Sequence, residues 1–118
     1  MTQNLRESAD LEPVNAKDRH VVATAVAAHA DAIVTFNVAD FAPAHLLKSL
    51  RIEVKHPDDF VMDLIDLNEK RAAAAFRELR ARKKNPSWDR EELVSRARRG
   101  GLVQTSLWLA NEDVSALI

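Results

Sequence analysis

Only two stretches of this 118-residue chain read as β-strand, and both are short. Ala32, Ile33 and Val34 form an apolar run ending in Thr35, long enough for one buried strand. Ile52, Glu53 and Val54 alternate as an edge-strand candidate. Two such strands are too few for a self-sufficient sheet, so most of the apolar residues must be buried between helices. A helix followed by a buried strand nevertheless points to a parallel α/β layer. The expected fold class is α/β: a partial parallel sheet of two short strands with a predominantly helical remainder.

The helical patterns occupy most of what is left. From Asp18 to His29, the residues Val21, Val22, Ala25, Val26 and His29 recur at offsets of three and four, with Asn15 or Asp18 able to cap the start. Pro43 suits the first position of a short helix reaching Ser49. Pro57 opens another, with Asp58 and Asp59 in its first turn complementing the helix dipole, and Phe60, Val61, Leu64 and Ile65 expected to face inward. Asn68 to Lys84 is the strongest helix by propensity, with Phe76 and Leu79 as packing points and Asn85-Pro86 as its stop. Asp89 and Glu92 resemble the capping box of a further helix that Gly100-Gly101 ends, and Leu102 to Ala110 makes one more. Trp88 and Trp108 are expected as core anchors. Residues 1–16 have no sustained period and contain Pro13, so a flexible arm is expected there, with a short helical turn around Leu5 to Leu11. The expected division is an arm over 1–16, an α/β part over 17–67 and a helical part over 68–118.

Composition removes several function classes. The chain has no cysteine, so disulfides and thiolate metal sites are excluded and any metal must be held by oxygen or imidazole ligands. Its two glycines are both at 100–101, which rules out a Gly-rich phosphate loop or dinucleotide fingerprint. His29, His45 and His56 lack ligand spacing, and His20, two residues from Asp18, is expected as a partly buried or packing residue. The apolar run Val21 to Ala28 is too short to span a bilayer, and no charged-then-apolar leader opens the sequence, so a cytoplasmic location is expected. The formal net charge of −1 conceals an asymmetry: residues 1–68 carry six basic and eleven acidic residues, whereas residues 69–118 carry eleven basic and seven acidic. An acidic half beside a basic half is what a metal site next to a polyanion-binding surface requires, although helix-rich sequences also produce it without function.

The candidate chemistry lies between Asp18 and Phe41. Thr35, Asn37 and Asp40 follow a buried strand immediately, and in α/β folds ligands bind at the carboxyl ends of strands. With the helix-start carboxylate of Asp18 they would offer the oxygen ligands that Mg²⁺ or Mn²⁺ prefers. The purely structural alternatives are equally concrete: Asp18 as a dipole-stabilising cap, Asn37 bonding its own backbone, and Asp40 capping the next helix. Lys70, Arg71, Arg77, Arg80, Lys83 and Lys84 are candidate phosphate contacts, with a solvated helix surface as their alternative.

The stretch DRHVVATAVAAHADAIVTFNVADF resembles the C-terminal half of a PIN domain, the nuclease fold of VapC-type toxins. The helix-start Asp within D-x-H-x-x-A-x-A, the strand-end I-V-T-x-N-x-x-D-F and the continuation I-E-V-K-H-P-D-D-F carry the match. The helical tail containing N-P and a late Gly is similar to one bacterial subgroup with an added C-terminal helical cap. The resemblance implies a Mg²⁺- or Mn²⁺-dependent ribonuclease in which Asp18 is a metal-site carboxylate. Asn37 or Asp40 would take the place of the last acidic residue, with Thr35 supporting that turn. It also implies RNA as substrate and a cognate antitoxin as partner. PIN domains begin with a strand ending in Asp and carry a Glu on a later helix. Glu7, Asp10 and Glu12 lack that context, so this chain is expected to be a truncated or split form completed by another chain, a homodimer partner or a longer natural product. The competing expectation is a non-catalytic remnant that binds nucleic acid or protein, including a dimeric helical module.

Overall fold

A computed structural model of the protein describes residues 10–118, and the chain divides into two compact units, 1–57 and 58–118. In the first unit a 3-10 turn, Ala16–Asp18, leads into α1 (Arg19–Ala27), then β1 (Ala32–Val34), a second 3-10 turn (Val38–Phe41), α2 (Pro43–Leu50) and β2 (Glu53–Lys55). The strands pair in parallel, with Ala32 opposite Glu53, Ile33 opposite Val54 and Val34 opposite Lys55. The ladder continues at both ends, from Glu53 N–H to the Asp31 carbonyl and from Thr35 N–H to the Lys55 carbonyl. The expected two-stranded parallel α/β arrangement with a helical remainder is therefore what the described residues form.

One apolar cluster holds this unit together: Val14, Val22, Ala25, Ile33, Phe41, Leu46, Leu50 and Ile52 are all buried. Val14 belongs to the stretch expected as an arm, yet it is only 1% exposed. Arg19 explains why, since its guanidinium donates to the carbonyls of Leu11, Glu12 and Val14 and fastens that segment to the start of α1. Glu7 and most of the expected turn at Leu5 to Leu11 lie outside the described residues. Ile52, expected inside the second strand, instead precedes it and is wholly buried. The first helix also ends earlier than its period suggests. His29 adopts a left-handed φ of 56°, with His29 N–H bonded to the Val26 carbonyl and Ala30 N–H to that of Ala25. Those two bonds make a Schellman stop, here without the glycine that normally announces it. His20 is exposed and not packed, a correction to its expected role, because it lies off the Val22/Ala25 face.

The second unit is helical: α3 (Pro57–Leu67, whose first residue belongs to the first unit), α4 (Glu69–Arg82), α5 (Arg90–Arg99), α6 (Val103–Ala110) and α7 (Glu112–Ser115). Helix α7 lies beyond the last expected helix, and Asn111 caps it by accepting from Asp113 N–H. Asn68 and Asp89 cap α4 and α5 in the same way, accepting from Arg71 and Glu92 amides. Buried Ala73, Leu93, Leu109 and Ile118 form the core, with Phe76, Trp88 and Trp108 packed against it. Leu79, expected as a packing point, is 36% exposed.

Helix α6 has no side-chain cap of its own, its N-cap residue being Leu102. Asp58 of α3 supplies one. Its carboxylate accepts from Gln104 N–H at 2.8 Å, Thr105 N–H at 2.9 Å, the Thr105 hydroxyl at 2.7 Å and the Gln104 amide at 3.3 Å. This is a helix cap delivered from another helix, and it orients α3. Asp58 and Ile65 are the buried residues of α3, whereas Phe60 and Leu64, expected inward, are 36% and 45% exposed.

Burial pushes the Asp58 carboxyl up, but the four donors from Thr105 and Gln104 outweigh it and hold the group below the usual carboxylate range. A carboxyl lowered on folding contributes stability that is complete above its unfolded pKa and is lost as pH falls through the folded value. Asp58→Ala should therefore destabilise the protein by about 3 kcal/mol at neutral pH by leaving buried donors unpaired. The difference from wild type should shrink on acidification below about pH 4, as urea unfolding across pH will read. A constant difference across that range would contradict the assignment.

Candidate metal centre

Two turns of the first unit bring the candidate acids together. Asn15 N–H donates to the Asp40 carbonyl at 2.8 Å, joining the segment before α1 to the turn after β1. On this frame Lys17 Nζ donates to Asp18 Oδ2 at 2.7 Å and to Asp40 Oδ2 at 2.9 Å. Two carboxylates separated by 22 positions in sequence thus converge on one cation. Their side chains are 18% and 39% exposed, so the point they share is reachable from solvent.

This geometry bears on the structural alternatives for both acids. Asp18 stands at the N-cap of α1 but makes no side-chain capping bond. Asp40 does not cap α2, whose N-cap is Ala42 in a left-handed conformation. Both carboxylates are directed to Lys17. Thr35 shapes the turn between them: its hydroxyl accepts from Asn37 N–H at 3.0 Å, and the Asn37 carbonyl accepts from Asp40 N–H at 3.1 Å. Asn37 is exposed, and its side chain makes no capping bond, contrary to the alternative in which it bonds its own turn.

Lys17 carried no functional signal in the sequence. One lysine beside an aspartate has no periodicity to distinguish it, and only the fold supplies the second carboxylate. Among the described residues no group of three or more His, Asp or Glu could hold a metal ion. The oxygen pair alone still suits Mg²⁺ or Mn²⁺, because such ions commonly take one or two protein carboxylates and complete their shell with water and phosphate oxygens. The Lys17 ammonium occupies the point that the two carboxylates share.

The six basic candidates do not form one set. Lys70, Arg71, Arg77 and Lys84 are exposed. Arg80 donates through Nε to the main-chain oxygen of Ile118 at 2.9 Å and through a terminal nitrogen to the Trp88 carbonyl at 3.2 Å, which ties α4 to two other segments. Lys83 lies over the Trp88 ring, 4.7 Å from its centroid. No helix among the described residues is long and apolar enough to cross a membrane.

The bonds from Asp18 and then Asp40 hold the Lys17 ammonium pKa above the ordinary lysine value. A lysine raised on folding contributes stability that is present below its unfolded pKa and lost as pH rises through the folded one. An NMR titration of the Lys17 ammonium should show it deprotonating later than a lysine in a model peptide, and Asp18→Asn/Asp40→Asn should abolish the delay. An unchanged titration in the double variant would contradict the bridge.

Comparison with known proteins adds an independent line. Residues 57–110 match the family model described as the VapC50 C-terminal domain. The chain is also 48% identical over 60 residues to a protein of Mycobacterium tuberculosis (strain ATCC 25618 / H37Rv) named "Putative ribonuclease VapC50". That match covers 51% of this chain and 35% of the relative, so the chain spans about a third of the length of that protein. No solved structure matches. Residues 57–110 are therefore similar to a VapC50 C-terminal domain, and the chain is similar to the C-terminal portion of a VapC-type PIN ribonuclease.

Proposed function

We propose that this chain contributes part of the catalytic centre of a metal-dependent endoribonuclease of the toxin–antitoxin type. The observation that carries the reading is the convergence of Asp18 and Asp40 on one cationic point. Asp18 and Asp40 would hold Mg²⁺ or Mn²⁺, with Asn37 contributing its side-chain oxygen directly or through water. When bound, the ion would supply water orientation and stabilisation of charge developing on a phosphodiester. The chain's own residues prepare that position: Thr35 fixes the turn carrying Asn37, and Lys17 keeps the two carboxylates together. Lys70, Arg71, Arg77 and Lys84 would add sequence-independent attraction for RNA.

Further carboxylates would come from outside the described residues, through the rest of a VapC-like polypeptide, a separate chain or a homodimer partner. A cognate antitoxin would be the regulatory partner and the cytoplasm the site of action. A second reading is favoured by the lack of a three-ligand group among the described residues. In it the protein binds nucleic acid or protein without cleaving, through its basic helices or as a dimeric helical module.

Cleavage of labelled RNA separates the two. The chain should be assayed alone and mixed with a polypeptide corresponding to the part of the VapC50 relative that it does not span, with Mg²⁺, Mn²⁺ or EDTA. The nuclease reading predicts metal-dependent cleavage by the mixture that falls at least about 100-fold in Asp18→Ala and in Asp40→Ala. Metal-independent cleavage, or cleavage indifferent to both substitutions, would refute it. Salt-sensitive RNA binding with no cleavage would establish the second reading.

A further inference from the structure

The second unit contains a basic cleft apart from the Asp18–Asp40 site, sharing only Lys84 with the cations proposed above to attract RNA. It lies where α4 ends and the chain turns through Asn85-Pro86 toward α5, and it has a volume of about 590 Å³. Four of its lining residues are cations, Arg82, Lys83, Lys84 and Arg96, and none is acidic. Trp88 lies among them. The Lys83 ammonium is 4.7 Å from its ring centroid and the Arg96 guanidinium 4.4 Å, both within cation–π range.

The tryptophan is itself fixed. It packs against the core of the unit, and its carbonyl accepts from Arg80. A rigid ring therefore holds two flexible cationic side chains in place, which reduces the entropy that either must lose when it meets an anion. Glu78 and Glu92, the partners of Arg82 and Arg96, lie outside the cleft lining, and among the described residues neither Lys83 nor Lys84 has an acidic partner. With Lys83 and Arg96 in cation–π range of its ring, Trp88 serves as a support for cations.

We infer that this cleft binds the phosphodiester backbone of an RNA strand, with Lys83, Lys84 and Arg96 as the phosphate contacts and Trp88 as the residue that positions two of them. Four cations in one cleft suit successive phosphates better than a single small anion, and contacts made to the backbone are independent of base identity. RNA as the ligand rests on the proposed nuclease reading; the cleft and its charge do not.

The test is fluorescence anisotropy of a labelled single-stranded RNA 12-mer with the full chain, in EDTA so that cleavage plays no part. Lys83→Gln/Lys84→Gln should weaken binding about tenfold near 0.1 M salt and lower the salt slope by about 1.4. The control Lys48→Gln/Arg90→Gln removes equal charge from elsewhere and should change affinity less than about twofold. Thermal melts establish that both variants fold; if Lys83→Gln/Lys84→Gln does not, Arg96→Gln takes its place with a single-charge loss expected. Equal weakening by both pairs, no RNA binding, or displacement of RNA by a short poly-glutamate peptide at lower concentration than by unlabelled RNA would each overturn the inference. Cleavage without cleft-dependent binding would leave the nuclease reading standing and remove this one, and cleft-dependent binding without cleavage would do the reverse.

Discussion

The buried carboxylate of Asp58 is the interaction on which the helical unit most depends. It sits at the start of α3 and receives the main-chain N–H groups of Gln104 and Thr105, which open α6. A helix start leaves its first amides without partners, and burying them unpaired is costly. Helix α6 begins at a leucine that cannot accept those protons, so the cap must come from elsewhere. Asp58 meets that need while placing a charge where the α6 dipole favours it. The same bond determines which side of α3 is buried, and this unit contains most of the segment matching the VapC50 C-terminal domain.

The first unit depends on a different electrostatic device. A two-stranded sheet provides little rigidity, and the turns around it are joined by a few specific bonds. Asn15 N–H reaches the Asp40 carbonyl, and Lys17 lies between the carboxylates of Asp18 and Asp40. Two acids held this near each other repel unless a cation sits between them. The lysine supplies that cation within the chain. In the proposed nuclease, the same pair would be available to a divalent ion of higher charge density, with Lys17 keeping the carboxylates together in its absence.

Much of this was legible in the sequence, and what was not has identifiable causes. The first strand could be read because three apolar residues in succession leave little else that they can form. The second was displaced by one residue because Ile52 serves the core and Glu53 to Lys55 serve the ladder. The end of α1 was hidden because His29 takes a left-handed conformation normally signalled by glycine. The inward face of α3 departs from its apolar pattern because a hydrogen bond spanning 46 residues leaves no local signal. Arg80 was grouped with its exposed neighbours for the same reason: its partners, Ile118 and Trp88, are tertiary. Asp18 and Asp40 could be nominated from their places at a helix start and beyond a strand end. That they meet, and that Lys17 lies between them, required the fold.

In the proposed reading Asp18 and Asp40 would together hold a divalent cation. Paramagnetic broadening by Mn²⁺ in an amide-resolved NMR spectrum of the chain tests it most directly. Substoichiometric Mn²⁺ should broaden the amides of residues 17–19 and 37–41 first, and excess Mg²⁺ should reverse the effect. Broadening that spares these residues, or that spreads over all acidic surfaces alike, would contradict the account.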